Sequence, residues 1–198
     1  MKMKSVFQGG KMRTLLIGIT TMLMSLQVWS FNMITPDFQA SVKAMAQTTG
    51  LDWKVGDFAN YNFSMGFIQG TNNMSIREVG PNGIWLIQDM DLGFMGKQLV
   101  EALIDPNTGE IKELKVNGQA QDIPENNSEI VSAEESSVTV PAGTFDAIYI
   151  KLKNNDDGKI SQIWINPEMI PLNGSAKSIS PAQFGDAIME LTQYGRAN

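Results

Sequence analysis

The sequence contains neither cysteine nor histidine. Without a thiol the chain can form no disulfide and no thiolate redox pair, and without an imidazole it cannot build Ser-His-Asp or Cys-His catalysis. Zinc sites of the usual His or Cys kind are excluded with them. Neither common Gly-rich phosphate loop is present. Basic residues are also few: 15 Lys plus Arg stand against 21 Asp plus Glu, a formal net charge of −6. Nucleic acids and anionic membrane surfaces bind through Lys and Arg that neutralise phosphate, so a chain of this sign is repelled by both. These absences predict a non-enzymatic protein with no catalytic residue, no metal, no cofactor and no nucleic-acid partner.

What is present begins with a tripartite leader. Lys2, Lys4, Lys11 and Arg13 precede an apolar run from Leu15 to Val28, and a short polar exit follows. That is the layout of a secretory signal peptide over residues 1–30. Gly18, Thr20, Thr21, Ser25 and Gln27 interrupt the run, which falls short of the roughly 20 apolar residues of a stable membrane span. No transmembrane anchor is therefore expected. Val28 and Ser30 are small enough for a signal-peptidase site, which predicts cleavage after Ser30 and a periplasmic or secreted product. Met12 followed by Arg13 is a second plausible start. Cleavage removes four basic residues and no acidic one, taking the net charge from −6 to −10.

Residues 31–198 are expected to form a single domain. With 42% hydrophobic and 18% charged residues the chain can bury a core that no disulfide needs to reinforce. Thr35 and Pro36 read as a helix start, and Phe38, Val42, Met45 and Ala46 recur at helical spacing until Gly50, giving a helix over 36–48 packed on the domain. From there the period changes to two. Tyr61, Phe63, Met65 and Phe67 alternate with polar or small residues, the cleanest half-buried strand in the chain. Further strands are predicted over 74–79, 84–92, 97–104, 110–116, 129–140, 145–153, 160–166 and 187–194, with a short piece at 176–179. Gly80-Pro81-Asn82-Gly83, Asp105-Pro106-Asn107-Thr108-Gly109 and Asn117-Gly118 supply turn chemistry between them. Nine or ten strands and one helix are expected. The polar stretch 119–128 is the one candidate internal boundary, but similar strands flank it.

Several clusters invite a chemical reading. Asp89 and Asp91 share a strand face with Trp85 and Ile87, which suits an acid pair or cation site beside an aromatic but equally a solvated strand face. Asn154-Asn155-Asp156-Asp157-Gly158 resembles a calcium loop, yet Lys153 and Trp164 occupy positions that need ligands, so a hairpin turn is expected. Glu134-Glu135-Ser136-Ser137 reads as surface strand. Asn62, Asn73, Asn126 and Asn173 begin N-x-S sequons. The 13 Met and nine Phe fit either an adaptable apolar pocket or a sheet core.

The run Val138-Thr139-Val140-Pro141-Ala142-Gly143-Thr144-Phe145, with Ile163-Trp164-Ile165-Asn166-Pro167-Glu168 and Glu190-Leu191-Thr192-Gln193-Tyr194-Gly195, resembles uncharacterised exported bacterial proteins of the lipoprotein-carrier kind (LolA and LolB-like). The resemblance implies a mainly β fold: a strongly curved antiparallel sheet or incomplete barrel, with the N-terminal helix packed on it and a concave apolar face able to hold acyl chains. Phe63, Met65, Phe67, Trp85, Met90 and Trp164 are the candidate ligand-binding residues. Two functions follow, an envelope protein binding a lipid or acyl group on that face, or a structural or interaction protein docking an envelope protein partner by a sheet edge or helix.

Overall fold

The alternation that begins at Ala59 becomes the first strand, β1 (Phe58–Met65), whose Ala59, Tyr61, Phe63 and Met65 side chains are each exposed by 2% or less. The computed structural model describes residues 36–48, 50–125 and 127–197. The signal peptide and its cleavage site, Met12, the Thr35 cap and the Asn126 sequon lie outside the described residues. Helix α1 (Pro36–Thr48) comes first, and β1 is followed by β2 (Ile68–Gly80), β3 (Gly83–Asp91), β4 (Lys97–Ile104), β5 (Ile111–Val116) and β6 (Gln119–Ala120). Then come β7 (Ser128–Val140), β8 (Gly143–Asn154), β9 (Ile160–Ile165), β10 (Ser175–Ala182) and β11 (Gly185–Gly195).

All eleven strands form one open antiparallel sheet in the order β6-β5-β4-β3-β2-β1-β11-β10-β9-β8-β7. The first six step outward from the centre as a meander. The stretch between β6 and β7 then carries the chain to the opposite edge, and β7 to β11 step back inward until β11 pairs with β1. The fold is therefore mainly β, open rather than closed, with one described helix. The sheet is also strongly curved. The turn between β7 and β8 reaches across the three intervening strands so that the Ala142 N–H donates to the Leu191 carbonyl at 3.0 Å.

Period-two register places one set of side chains inward across β1 to β5. Leu86 stands beside Ala102, which stands beside Leu114, and Ile84 stands beside Ile104; all five are buried. Helix α1 covers this core with Phe38, Val42 and Ala46, spaced four apart on one face. Gly109 lets the β4–β5 turn approach the helix: its φ is +71°, and a Cβ there would lie 2.7 Å from the Cα of Lys43. Any side chain at 109 would push α1 off the core.

The structure differs from the sequence expectation at four places. Strand β1 stops at Met65, because Gly66 at φ +59° starts a tight turn in which Met65 pairs with Ile68. Phe67 is thus a turn residue, not the fourth member of the half-buried face. Strand β2 starts at Ile68 rather than 74, since its polar positions pair with β1 and need no apolar pattern of their own. A two-residue strand, β6, forms in the polar stretch after Asn117-Gly118, whose φ values of 51° and 78° make the expected hairpin turn. The short piece at 176–179 is the eight-residue β10, and with β6 it brings the count to eleven.

Strands β1 and β11 meet with an irregularity that the sequence stabilises. Asn60 pairs with Gln193 and Tyr61 with Leu191, leaving Thr192 as the extra residue of a bulge. The Thr192 hydroxyl donates to the Asn60 carbonyl at 3.0 Å, and the fully buried Tyr61 hydroxyl donates to the Ser175 carbonyl at 3.0 Å and Asn173 Oδ1 at 3.3 Å. Burial pushes the Tyr61 phenol well above its usual range, so it stays a donor at any working pH. Tyr61→Phe keeps the ring but removes both of these bonds, leaving Asn173 Oδ1 the Ser175 N–H at 3.3 Å, and is expected to cost about 1–2 kcal/mol in urea unfolding. An unchanged midpoint would show that the hydroxyl is dispensable.

A second prediction concerns acid. The Asp105 carboxylate meets Lys112 Nζ at 2.7 Å and accepts the Asn107 N–H at 2.8 Å, which together draw its pKa from 3.8 to about 2. A carboxylate lowered on folding stabilises the fold fully above its ordinary value and loses that contribution as pH falls through the folded value. The turn it holds should therefore weaken between pH 4 and 2, and Asp105→Asn should lessen the slope of the unfolding midpoint in that window. Because Lys112 is exposed and the carboxylate only partly buried, solvent screens the pair and the change in slope is expected to be small.

Candidate functional site

The six candidate ligand residues occupy four separate places. Phe63, Met65 and Met90 pack with Ile68 and Leu92 in a buried cluster on the inner face. Beside them lie three buried amides, Asn72, Gln88 and Gln98, with Asn72 and Gln98 each paired to Met90. Asn72 Nδ2 donates to Met189 Sδ at 3.6 Å, while Asn72 Oδ1 and Gln88 Oε1 have no hydrogen-bond partner among the described residues. Trp85 is an odd number of residues from Met90 on β3, hence on the opposite, outer face. Arg77 and Lys115 lie over its ring at 5.1 and 4.8 Å, and Arg77 also pairs with Glu101. Its faces are thus occupied by cations. Trp164 stacks on Tyr149 with ring centroids 4.6 Å apart, and Tyr149 in turn donates to Gln162 Oε1.

Phe67 is the exception, exposed by 69%. Phe94 of the Gly93–Met95 turn stacks on it at 5.9 Å, and Phe184 of the β10–β11 turn meets it at 5.8 Å. Phe94 and Phe184 are themselves 74% and 41% exposed. Sequence reasoning missed both partners of Phe67. The signal was there: each of the three Phe adjoins a glycine of positive φ, at Gly66, Gly93 and Gly185. An aromatic beside a turn glycine sits at a tip, where core packing does not require it.

The other chemical candidates have structural explanations. Asp91 Oδ1 accepts the Gly93 N–H at 2.9 Å, closing the turn after β3, and Asp91 pairs with Lys97 at 3.7 Å. Asn154 to Gly158 form the β8–β9 turn: Gly158 N–H donates to the Asn154 carbonyl, Asn154 Oδ1 accepts from the Asp156 N–H, and Lys159 lowers the Asp157 pKa. Among the described residues no cluster of three or more carboxylates is placed to hold a metal ion, and no helix is long and apolar enough to cross a membrane.

One long feature remains, strand β7. It pairs with β8 along its full length and, among the described residues, has no strand on its other side. From Glu129 to Ser137 it is largely exposed, with Ile130 at 62% and Val131 at 54%. Val131 is the extra residue of a bulge between Ile130 and Ser132. Alongside, Glu135 and Ser136, Asp146 to Ile148 on β8, Ile165 and the turn at Asn166 to Glu168 enclose a cleft of ≈ 470 Å³. Its floor is held by Asn166, whose Nδ2 donates to the Asp146 carbonyl at 2.8 Å and whose Oδ1 accepts the Met169 N–H at 2.9 Å. Glu134-Glu135-Ser136-Ser137 is surface strand, as the sequence predicts. That it forms the sheet's edge could not be read, because strand order is set by pairing between distant segments.

The buried and exposed phenylalanines should part company on mutation. Phe63→Ala leaves a core void and is expected to cost about 3–5 kcal/mol. Phe67→Ser removes a turn-tip ring and should change stability by no more than about 0.5 kcal/mol. Equal losses in denaturant titrations would mean that Phe67 belongs to the core after all.

No protein-family model matches the sequence, and no curated protein matches it. Solved structures match at low similarity, two of them as follows. The crystal structure of MucB is 9% identical with a TM-score of 0.42, the match covering 82% of this chain and 58% of that one. The complex of MucA and MucB from Pseudomonas aeruginosa is 12% identical with a TM-score of 0.46, covering 82% of this chain and 57% of that one. This chain thus spans less than two thirds of the length of either chain it matches.

Proposed function

We propose that this chain is an exported, non-enzymatic envelope protein that docks a protein partner along the open edge of its sheet. Strand β7 carries the reading: thirteen residues long, it is bordered among the described residues by β8 on one side only. Such a strand presents a row of backbone donors and acceptors to any extended chain that lies beside it. Residues 128–137 contain neither Pro nor Lys, two of the usual devices that blunt an edge, and expose Ile130 and Val131. An exposed β-branched pair on an open edge is a liability in a lone protein and an asset in one that binds. Export, cleavage near Ser30 and a single working domain over 31–198 rest on the sequence layout and complete the proposal.

A second reading keeps the apolar ligand but moves it. Phe67, Phe94 and Phe184 form an exposed aromatic group at the turns of one sheet end, and exposed apolar groups of this kind mark interaction sites. A lipid or acyl chain would meet this group, not the inner face, where Phe63, Met65 and Met90 are already packed.

Photo-crosslinking in the producing cell separates the two. A photoreactive residue at Val131 or Glu134 is expected to yield one discrete protein adduct that the same residue at Asn82, on the β2–β3 turn, does not. Adducts of equal yield from all three positions, or from none, would remove the docking reading. For the second reading, native mass spectrometry should find lipid retained by the wild type and lost from Phe67→Ser/Phe94→Ser; lipid-free protein in both cases would exclude it.

A further inference from the structure

The edge of β7 has a chemistry that narrows what can lie on it. Glu129, Glu134 and Glu135 are the charged residues of the strand, and no basic residue accompanies them between Ser128 and Val140. Glu129 is paired with Lys153 at 3.1 Å. The carboxylates of Glu134 and Glu135 have no ion pair or hydrogen bond among the described residues, and the same holds for Asp146 and Glu168 across the adjoining cleft. Of the nine residues lining that cleft three are acidic and none is basic. Ala147, Ile148, Ile165 and Pro167 supply apolar wall between the acids. An alkyl stem ending in a cation matches that alternation of apolar wall and carboxylate.

Geometry links the cleft to the edge. Glu135 stands on β7 directly beside Ile148 of β8, which stands beside Ile165 of β9, so these three side chains share one face and lead from the edge into the cleft. A strand added outside β7 would lie about 4.8 Å away, with its nearest side chains on that face about 5 Å from Glu135. A Lys or Arg there reaches over Glu135 toward Asp146 and Glu168.

We infer that the segment seated on β7 is an extended, basic stretch of a protein partner, pairing its backbone with Glu129 to Ser137 and placing a Lys or Arg side chain in the cleft of Glu135, Asp146 and Glu168. The inference rests on the docking reading above and adds the partner's chemistry to it. Attraction between opposite charges fixes the register and favours this partner over neutral strands of equal β-propensity, because a neutral strand leaves the carboxylates without a counter-charge. The same charges speed encounter and make binding fall with salt.

The test uses the purified full chain and four synthetic decapeptides. One alternates Val or Thr with Lys and Arg; in the others the basic positions become Ser, or become Glu, or two interior residues of the basic peptide become Pro. Fluorescence anisotropy at low and high salt gives affinities, and hydrogen exchange locates the peptide. The basic peptide should bind at least tenfold tighter than the Ser and Glu peptides, lose affinity at high salt, and protect the amides of 129–137. The Pro peptide should fail to bind, since it cannot complete the ladder. The triple variant Glu135→Gln/Asp146→Asn/Glu168→Gln, altered only at a surface cleft, should fold normally and bind the basic and Ser peptides alike. If the Ser peptide matches the basic one on wild type while still protecting 129–137, the basic chemistry is wrong and edge docking survives. Equal binding of the Pro peptide refutes strand addition. Protection by no peptide at 129–137 refutes the inference and the docking reading together.

Discussion

The pairing of β1 with β11 is the interaction on which the rest of the fold depends. Tyr61 stands beside Leu191, and Phe63 beside Met189, so strands from the two ends of the domain meet in the middle of the sheet. Each half on its own is a meander of local hairpins that could form early, but neither half closes a core without the other. Bringing the ends together carries a loop-closure cost that grows only slowly with length, while the core residues that meet there are among the most deeply buried. The bulge at Thr192 and the buried Tyr61 hydroxyl fix the register at this seam. Beyond it, Asp57 accepts the backbone N–H of Lys54 at 3.0 Å and of Ala197 at 2.7 Å, clipping the chain's return to its start. Contacts of such long sequence separation predict slow folding relative to a helical domain of the same size.

That seam determines what is left at the edges. With the first and last strands used in the centre, the sheet must end on strands from mid-chain, and these are β6 and β7 on either side of one connecting stretch. They are unequal: β6 has two residues and β7 has thirteen. A very short edge offers little to pair with, which protects it. The long edge has no such protection. The asymmetry is a consequence of topology, and the binding surface proposed for β7 follows from the same pairing that assembles the core.

Much of the local structure was legible in the sequence because it rests on local chemistry. The helix over 36–48 follows from apolar spacing and Gly50, and strand β4 from its alternation and flanking turns. Asn117-Gly118 gave a hairpin because both residues adopt positive φ. Phe67 misled because a period-two pattern continued by chance across the tight turn at Gly66. The six candidate ligand residues share an apolar or aromatic character and a strand pattern, but face and exposure decide availability, and those depend on which strands become neighbours. Trp85 and Met90 on one strand look in opposite directions, and Phe63, Met65 and Met90 are enclosed by one another. The cleft has no local signature in the sequence for the same reason: Glu135, Asp146 and Glu168 come from three segments that only the β7–β8–β9 pairing and the following turn bring together.

The acidic side chains of β7 also resolve a conflict inherent in an open edge. An exposed edge with Ile130 and Val131 could pair with its counterpart on a second copy of the chain. In an antiparallel self-pairing that sets Glu134 and Glu135 opposite one another, carboxylates would meet carboxylates, and like charges directly opposite on adjacent strands are destabilising. The bulge at Val131 adds local twist and interrupts the regular ladder that a flat self-pairing would need. Neither feature opposes a basic strand, for which the carboxylates are attractive and the bulge leaves the stretch from Ser132 to Ser137 regular. The same charges thus exclude one partner class and admit another, so the edge can remain open without becoming a site of self-association.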